Sequence, residues 1–277
     1  MNVTEIIQAA LKEDIGDGDH SALACIPKSA TGSAQLLVKE NGILAGVDVG
    51  LAVFKQVDDS LTIEVFKHDG DKVAIGDVVL HVTGSSQSIL KAERLVLNIM
   101  QRMSGIATKT AHMVSLVKGT NVTILDTRKT TPNMRVLEKL AVKIGGAQNH
   151  RMGLYDMIML KDNHIDYAGG IKQAIDQTKA YLATHNKNLK IEVEARNLDE
   201  VKQILAAGPV DRIMLDNFSY EDIRTAVKLI DNQSETEASG GITEDTLLAY
   251  AQCGVDYISV GALTHAIKSL DLSLKAL

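Results

Sequence analysis

The stretch ILDTRKTTPNMRVLEKLAVKIGGAQNHRMGLYDMIMLKDNHI, residues 124–165, decides the fold. One β-forming run ends at Asp126 and a second ends at Leu160, and cationic residues follow both runs. Between the runs, apolar residues recur at helical spacing until Gly145–Gly146, a pair typical of a helix end. This order predicts a strand, a crossover helix and a second strand parallel to the first.

The composition of the chain is that of an ordinary soluble globular protein. Of 277 residues, 45% are hydrophobic and 23% are charged, which is enough chain for one large or two ordinary domains. The net charge of −6 argues against a nucleic-acid partner, because binding along a phosphate backbone usually requires a basic surface. The stretch 124–165 is instead locally cationic, with seven Lys or Arg and four Asp or Glu.

Two further features bear on location and redox chemistry. No apolar run reaches the length of a membrane span, and the N-terminal residues MNVTEIIQAALKED carry acids where a signal peptide would be positive. We therefore expect a cytoplasmic protein with no membrane partner. The two cysteines, Cys25 and Cys253, lie in no CxxC or Cys/His pattern, so neither a disulfide framework nor a zinc site is predicted.

The N-terminal part has the spacing of an antiparallel sheet. From Thr31 to Thr83 apolar residues alternate along the chain, and glycines interrupt the alternation. Residues 86–117 then show an apolar face at helical spacing. We expect Gly105 and its small neighbours to interrupt that helix and to mark a domain boundary, placed after residue 108.

Beyond this boundary, strand and helix patterns alternate. Strand ends are predicted near residues 128, 161, 194, 216, 239 and 261, at intervals of 22 to 33 residues that suit βα units. The alternation predicts a parallel sheet with helices outside it, closed or nearly closed as a barrel. Six strands are fewer than the eight of a full barrel, so the pattern does not decide whether the barrel closes.

The predicted strand ends form the candidate site, because barrels of this type build their active sites at the carboxyl ends of the strands. Strand periodicity turns Glu192 and Glu194 towards the barrel interior. In chain order the strand ends carry Arg128 and Lys129, Lys161, Glu194, Asp216, Ser239–Gly240–Gly241 and Gly261, and a loop before the second strand carries His150 and Arg151.

Several of these residues have a second interpretation. Glu192 or Glu194 could pair with Lys161 or Lys190 instead of binding a cation. Lys161 could form a Schiff base, as lysines at barrel strand ends do in aldolases. Gly240–Gly241 could be a simple turn, although backbone N–H groups at a helix start suit phosphate. The loop histidine could be purely structural.

Together the candidate residues predict two kinds of ligand. Arginine forks match planar carboxylates bidentately, whereas lysine is a point charge suited to phosphate oxygens. Inward carboxylates suit magnesium, which proteins usually hold through one or two carboxylates and the phosphates of a substrate. The combination predicts a polycarboxylate substrate together with a phosphorylated, magnesium-bound partner.

A set of motifs extends over nearly the whole chain: EDIGDGD, AERLVLNIMQRMSGIAT, DTRKTTP, GGAQNHR, LKDNHI, EVEA, LDNF, ASGGI and VDYISVGALTH. Through these motifs the chain resembles the quinolinate phosphoribosyltransferase family. The resemblance implies an N-terminal α/β sandwich over residues 1–108, an open, about six-stranded parallel α/β barrel over 109–265, and a C-terminal helix over 266–277 that packs back on the N-terminal domain. It also implies a homodimer in which one sandwich covers the barrel mouth of the other subunit.

The resemblance implies a role for each candidate residue. Quinolinate would be bound by Arg128, His150, Arg151 and the partner subunit's Arg94. The substrate and the pyrophosphate would be contacted by Lys129 and Lys161, and the ribose hydroxyls and Mg²⁺ by Glu194 and Asp216. The 5′-phosphate would be bound by Ser239, Gly240, Gly241 and Gly261. One local departure is Ala195–Arg196, where we expect a hydrophobic residue followed by an acid or a small polar residue.

The implied reaction transfers phosphoribose from phosphoribosyl pyrophosphate to quinolinate, with decarboxylation, and gives nicotinate mononucleotide for NAD biosynthesis. One alternative is a sister phosphoribosyltransferase of the same fold, associated with molybdate transport or using nicotinate, which should need fewer carboxylate-binding residues. A second is an aldolase-like lyase that uses Lys161. A third is a non-enzymatic carrier or scaffold, which leaves the strand-end charges unexplained.

Overall fold

The computed structural model describes residues 2–277, and these residues form two compact units. The first unit contains the chain up to His112 together with Lys129–Gly146 and Leu263–Leu277. The second contains Met113–Arg128 and Ala147–Ala262. Among the described residues, no helix combines the length and the apolar character that crossing a membrane requires.

The elements up to residue 116 are α1 (Val3–Ile15), α2 (His20–Cys25), β1 (Thr31–Val38), β2 (Gly42–Ile43), α3 (Val47–Val57), β3 (Thr62–Val65), β4 (Lys72–Val73), β5 (Val78–Ser85) and α4 (Ser86–Leu116). From residue 123 onward they are β6 (Thr123–Leu125), α5 (Arg135–Ile144), β7 (Ile158–Leu160), α6 (Asp162–Ala168), α7 (Ile171–Thr184), β8 (Ile191–Ala195), α8 (Leu198–Ala206), β9 (Arg212–Asp216), α9 (Tyr220–Ile230), β10 (Glu235–Ser239), α10 (Glu244–Ala251), β11 (Tyr257–Ser259), α11 (Ala262–His265) and β12 (Leu272–Ala276).

An antiparallel sheet of four strands, in the order β12-β1-β5-β3, organises the first unit. Along β1, the alternate residues Ala34, Leu36 and Val38 are buried, as a strand with one face on a core requires. Leu36 lies opposite Leu80 of β5, and both side chains are fully buried. The antiparallel sheet predicted from the period-two spacing is present.

Helix α4 is continuous through Gly105, so the predicted interruption there is wrong. Gly105 serves close packing instead, because a Cβ on this residue would lie 2.2 Å from the carbonyl oxygen of Lys268. That distance is far below any real contact of a Cβ atom. The small residue therefore allows the C-terminal part of the chain to pass against the helix within the first unit.

The C-terminal segment is a strand, and the helix expected over 266–277 is wrong. Strand β12 pairs antiparallel with β1, and Leu274 lies opposite Leu36. Leu272 and Leu274 are buried while Lys275 is exposed, which is the period of a strand and not of a helix. The segment does pack on the N-terminal sheet, as its fourth strand.

Residues 129–146, which the sequence interpretation assigned to the barrel, group with the first unit. Helix α5 lies between the two strands, as the stretch 124–165 predicted, and it ends at the predicted glycine pair, with Gly145 as its C-cap. A Cβ on Gly145 would lie 2.6 Å from the carbonyl oxygen of Ala107, so α5 ends in close contact with α4. This packing places the crossover helix with the N-terminal elements.

Six parallel strands, in the order β6-β11-β10-β9-β8-β7, form the sheet of the second unit. Strands β6 and β7 are the two edges of this sheet, so the barrel is open, as the resemblance implied. The strand ends lie within three residues of the six predicted positions. Ser219 is the N-cap of helix α9 and accepts a hydrogen bond from the Asp222 N–H. Asp216, another polar residue shortly before this helix, is therefore not its cap.

We predict that the burial alternation of β12 controls its contribution to stability. Leu272→Ala and Leu274→Ala should each lower the free energy of unfolding by about 2–4 kcal/mol, since each removes a buried side chain. Lys275→Ala, the matched control at an exposed position, should change it by less than about 0.5 kcal/mol. Urea denaturation measures all three. Equal effects at 272, 274 and 275 would contradict the strand assignment.

Candidate active site at the strand ends of the second unit

The parallel strands bring most of the predicted site residues to one edge of the sheet. Strand register places Glu194 of β8 beside Met214 of β9, and Ser239 of β10 beside Asp216 of β9. Lys161 directly follows β7, the neighbour of β8. Because the carboxyl ends of parallel strands share one edge, these residues lie together there.

An ion pair joins two neighbouring strand ends. Lys161 Nζ lies 2.5 Å from Glu194 Oε2; the Lys161 side chain is 45% exposed and the Glu194 side chain only 8%. The carboxylate is therefore inside the barrel, and the ammonium group reaches the open edge. This is one of the pairs that the sequence left open for the inward acids, whereas Lys190 lies near Glu235, at 3.7 Å.

A glycine segment follows β10 and presents backbone at the same edge. Gly240 has a φ of +100° and Gly241 a φ of +59°, left-handed conformations that suit glycine. A Cβ on Gly240 would lie 2.3 Å from Asn217 Oδ1, so a larger residue does not fit. Gly261 follows the adjacent strand β11. Backbone exposed in this way is the arrangement that proteins use around phosphate groups.

Asp126, just after β6, fixes the loop that carries His150 and Arg151. Its fully buried carboxylate accepts the His150 backbone N–H at 2.8 Å and the Asn149 Nδ2 at 2.6 Å. Arg151 Nη1 donates to the carbonyl oxygen of Met157 at 3.1 Å, next to the start of β7. The loop is thus attached at two strands, and the guanidinium group is held in a defined place.

Two arginines come close together in this unit. Burial and the nearby charge of Arg128 lower the pKa of Arg151, while Glu192 and Asp156 act in the opposite direction. Arg151 is half-buried and Arg128 is exposed. An anion between two guanidinium groups relieves their repulsion, and two forks can take two carboxylates.

A buried cluster lies next to these arginines. His150 Nε2 is 3.0 Å from Glu192 Oε2 and 3.3 Å from Glu237 Oε2, and both glutamates are fully buried. Burial lowers the pKa of the His150 imidazole, but the hydrogen bonds to the two carboxylates outweigh the burial and raise this pKa to about 9. The cluster therefore retains a proton that a solvated histidine would release.

Hydrogen-bond geometry shows where the protons of this cluster lie. The Arg151 backbone N–H donates to His150 Nδ1 at 2.7 Å, so this nitrogen offers its lone pair. Nε2 is therefore the ring nitrogen that shares its proton with the two carboxylates. Burial and the charge of Glu237 raise the pKa of the Glu192 carboxyl, so the proton belongs to the cluster as a whole.

The composition of this cluster is also that of a small metal site. His150, Glu192 and Glu237 each offer a ligand atom, and these atoms lie within 4.8 Å of one another. A metal ion held by His150 would take the lone pair of its coordinating nitrogen, so it would have to displace the proton on Nε2.

Arg212 of β9 balances the buried acids. Its Nη1 donates to Glu237 Oε2 at 2.9 Å and its Nη2 to Glu235 Oε2 at 3.0 Å, and its Cζ lies 3.8 Å from the centre of the Tyr257 ring. We name His150, Glu192, Glu237 and Arg212 the interior cluster. The sequence analysis missed Arg212 and Glu237, although the same period-two spacing places both on the inward faces of their strands.

Two predicted site residues, Arg94 and Lys129, belong to the first unit. Arg94 is exposed on α4. Lys129 is also exposed, and its carbonyl oxygen accepts the Thr264 hydroxyl at 2.8 Å. The other ten candidate residues all lie in the second unit.

Both parts of the chain match models of one protein family. Residues 19–104 match the N-terminal domain of quinolinate phosphoribosyl transferase, and residues 106–275 match its C-terminal domain. The chain belongs to the quinolinate phosphoribosyltransferase family.

Similar proteins cover nearly the whole chain. "Nicotinate-nucleotide pyrophosphorylase [carboxylating], chloroplastic" of Oryza sativa subsp. japonica is 46% identical over 98% of this chain and 76% of its own length. "Probable nicotinate-nucleotide pyrophosphorylase [carboxylating]" of Bacillus subtilis (strain 168) is 40% identical over 99% and 93%. The crystal structure of NadC from Streptococcus pyogenes superposes with a TM-score of 0.92 at 42% identity, covering 99% of this chain and 97% of the other.

This membership confirms the predicted family, the sandwich-plus-open-barrel fold and the enzyme class. A quinolinate phosphoribosyltransferase is a pentosyltransferase, and the aldolase-like lyase and the carrier or scaffold fall outside that class.

We predict that the proton of the interior cluster makes stability depend on pH. The folded-state pKa of His150, about 9, is above the ordinary value of 6.5, so the stabilisation is complete below pH 6.5 and is lost as the pH rises through about 9. Urea denaturation should show the wild-type free energy of unfolding falling by about 1–3 kcal/mol over this window.

The matched pair Glu237→Gln and Glu235→Gln tests the origin of this dependence. Both residues bond to Arg212, but only Glu237 reaches His150. Glu237→Gln should reduce the pH dependence to less than half, whereas Glu235→Gln should preserve it. A full wild-type pH dependence in Glu237→Gln would show that the cluster does not hold the proton.

Proposed function

We propose that the protein transfers phosphoribose from phosphoribosyl pyrophosphate to the ring nitrogen of quinolinate and releases pyrophosphate and carbon dioxide, giving nicotinate mononucleotide. The observation that carries this proposal is the pair of arginines, Arg128 and Arg151, whose charges interact at the strand-end edge. Quinolinate has two adjacent carboxylates, and two guanidinium forks can hold both. His150 and the partner subunit's Arg94 complete the proposed pocket for the dianion.

The same edge supports a role in binding the phosphorylated substrate. Glycines at 240, 241 and 261, with Ser239, would hold the 5′-phosphate through backbone N–H groups, and the left-handed conformations of Gly240 and Gly241 form the turn that presents them. Asp216 is half-buried at the end of β9, next to β8, where its carboxylate would accept the ribose hydroxyls. This arrangement would fix C1 of the sugar beside the ring nitrogen.

Magnesium fits the donor set. Glu194 and Asp216 stand at the ends of neighbouring strands, and hard carboxylate oxygens together with substrate phosphates are what this ion prefers. These two residues would hold it, directly or through water. When bound, the ion would supply positive charge that neutralises the pyrophosphate oxygens.

The chemistry requires no nucleophile from the protein. The ring nitrogen attacks C1 while the bond from C1 to the pyrophosphate breaks through an oxocarbenium-like state. Lys161, held at the edge by Glu194, and Lys129 would stabilise the negative charge that develops on the leaving group. The ring nitrogen is now positively charged and stabilises the electron pair that remains on C2 when the 2-carboxylate departs as carbon dioxide. A proton then adds to C2.

Cytoplasmic location, a homodimer with a shared site, magnesium dependence and the lack of nucleic-acid and membrane partners remain predictions from the sequence. The sister enzymes that use nicotinate or accompany molybdate transport would need only part of the proposed carboxylate-binding set. Measured turnover of quinolinate and of nicotinate distinguishes the proposed enzyme from these sister enzymes.

The direct test is incubation of the protein with quinolinate, phosphoribosyl pyrophosphate and magnesium. Carbon dioxide and pyrophosphate should appear in equal amounts, and nicotinate should be a poor substrate because it lacks the 2-carboxylate. Efficient use of nicotinate, or pyrophosphate release without carbon dioxide, would overturn the proposed reaction.

Arg128→Ala tests the carboxylate-binding role. Loss of a charged hydrogen-bond partner costs about 1.5–3 kcal/mol, so the KM for quinolinate should rise about 10- to 100-fold. The KM for phosphoribosyl pyrophosphate should change far less. Arg224→Ala, an exposed arginine on α9, is the control and should behave as wild type. Wild-type turnover of Arg128→Ala at low quinolinate would show that the assignment is wrong.

A further inference from the structure

Residues 129–131 of the motif DTRKTTP are held by hydrogen bonds from three helices of the first unit. Thr131 is bound at two points: its N–H donates to Glu138 Oε2 of α5 at 3.1 Å, and its hydroxyl accepts Arg102 Nη2 of α4 at 2.8 Å. Thr264 of α11 donates its hydroxyl to the Lys129 carbonyl oxygen at 2.8 Å. The backbone on both sides of Thr130 is thereby fixed.

The ion pair behind this segment is strongly desolvated. Arg102 Nη2 lies 2.6 Å from Glu138 Oε1, and its Nε lies 2.8 Å from the same oxygen. The Glu138 side chain is 1% exposed and that of Arg102 is 29% exposed. A buried pair of this kind contributes little net stability compared with apolar residues of the same volume. Its distinctive effect here is the orientation of Thr131, which both members contact.

The side chain on this fixed backbone is one that the proposed chemistry uses. Lys129 is exposed, and its long side chain gains precision only if its backbone cannot shift. The geometric tolerance for stabilising a leaving group is well below 1 Å, so a loose anchor would weaken catalysis more than binding. Three contacts from three helices supply such an anchor.

We propose that Arg102, Glu138 and Thr264 are positioning residues that hold the Lys129–Thr131 segment so that Lys129 meets the departing pyrophosphate. This inference rests on the proposed function. None of the three needs to touch substrate. They act through the backbone of the segment, and Thr264 does so through a single hydroxyl group.

Thr264→Val tests the proposal with the least disturbance, because it removes the hydroxyl from a fully buried side chain and keeps its shape. The kcat should fall about 3- to 10-fold, the loss expected for one hydrogen bond, while the KM for quinolinate stays within about twofold. Thr264→Ser should recover most of the activity. Thr110→Val is the matched control: Thr110 is also fully buried, and its hydroxyl has no hydrogen-bond partner within residues 2–277.

A double-mutant cycle with Lys129→Ala separates positioning from a general loss of stability. If Thr264 acts through Lys129, adding Thr264→Val to Lys129→Ala should reduce kcat no further. Additive losses, or equal losses in Thr264→Val and Thr110→Val, would overturn the positioning role alone. No turnover of quinolinate by the wild type would overturn the proposed function and the inference together, so the two failures are distinguishable.

The ion pair provides an independent variant. Arg102→Met combined with Glu138→Leu should leave the protein folded, since apolar replacements of a buried pair are often tolerated. The same double variant removes both contacts to Thr131 and should lower kcat as Thr264→Val does. A folded double variant with wild-type kcat would contradict the proposal.

Discussion

The parallel alignment of six strands in the second unit is the constraint on which the site depends. Parallel strands place all their carboxyl ends at one edge, so residues up to 133 positions apart, from Arg128 to Gly261, become neighbours along that edge. Strand period then decides which side chains point into the barrel. Glu194 and Asp216 come together at the edge because the strands that carry them, β8 and β9, are paired in register.

Burying two carboxylates inside the barrel is energetically unfavourable, and neighbouring cationic groups offset this cost. Two fully buried glutamates, Glu192 and Glu237, would repel each other in an apolar interior. Arg212 neutralises one of them, and a shared proton with His150 relieves the other. Near this cluster, burial and the charge of Arg128 lower the pKa of Arg151, so two cationic groups repel each other at the strand-end edge. An anionic substrate is the natural complement.

Local patterns in the sequence predicted most of this architecture. Six strands, their ends and the helix between β6 and β7 follow from apolar period and glycine positions, because these signals act over a few residues. The Lys161–Glu194 pair was one of two interpretations that spacing alone could not separate. Sequence could not show that α5 belongs with the N-terminal elements, since this depends on the contact of Gly145 with Ala107.

The misses have physical causes as well. The C-terminal segment is a strand and not the expected helix because it pairs with β1, which lies more than 230 residues earlier in the chain. Gly105 was interpreted as a helix interruption when its role is close approach to Lys268. Arg212 and Glu237 escape a prediction that rests on strand ends, because they lie within the strands, four residues before Asp216 and two residues before Ser239.

A crystal structure of the protein with quinolinate bound would test the central claim most directly. Both carboxylates of quinolinate should lie within hydrogen-bonding distance of the Arg128 and Arg151 guanidinium groups, at the carboxyl edge of the parallel sheet and on the same side as Lys161 and Asp216. Quinolinate bound elsewhere, or at this edge with neither arginine in contact, would contradict it.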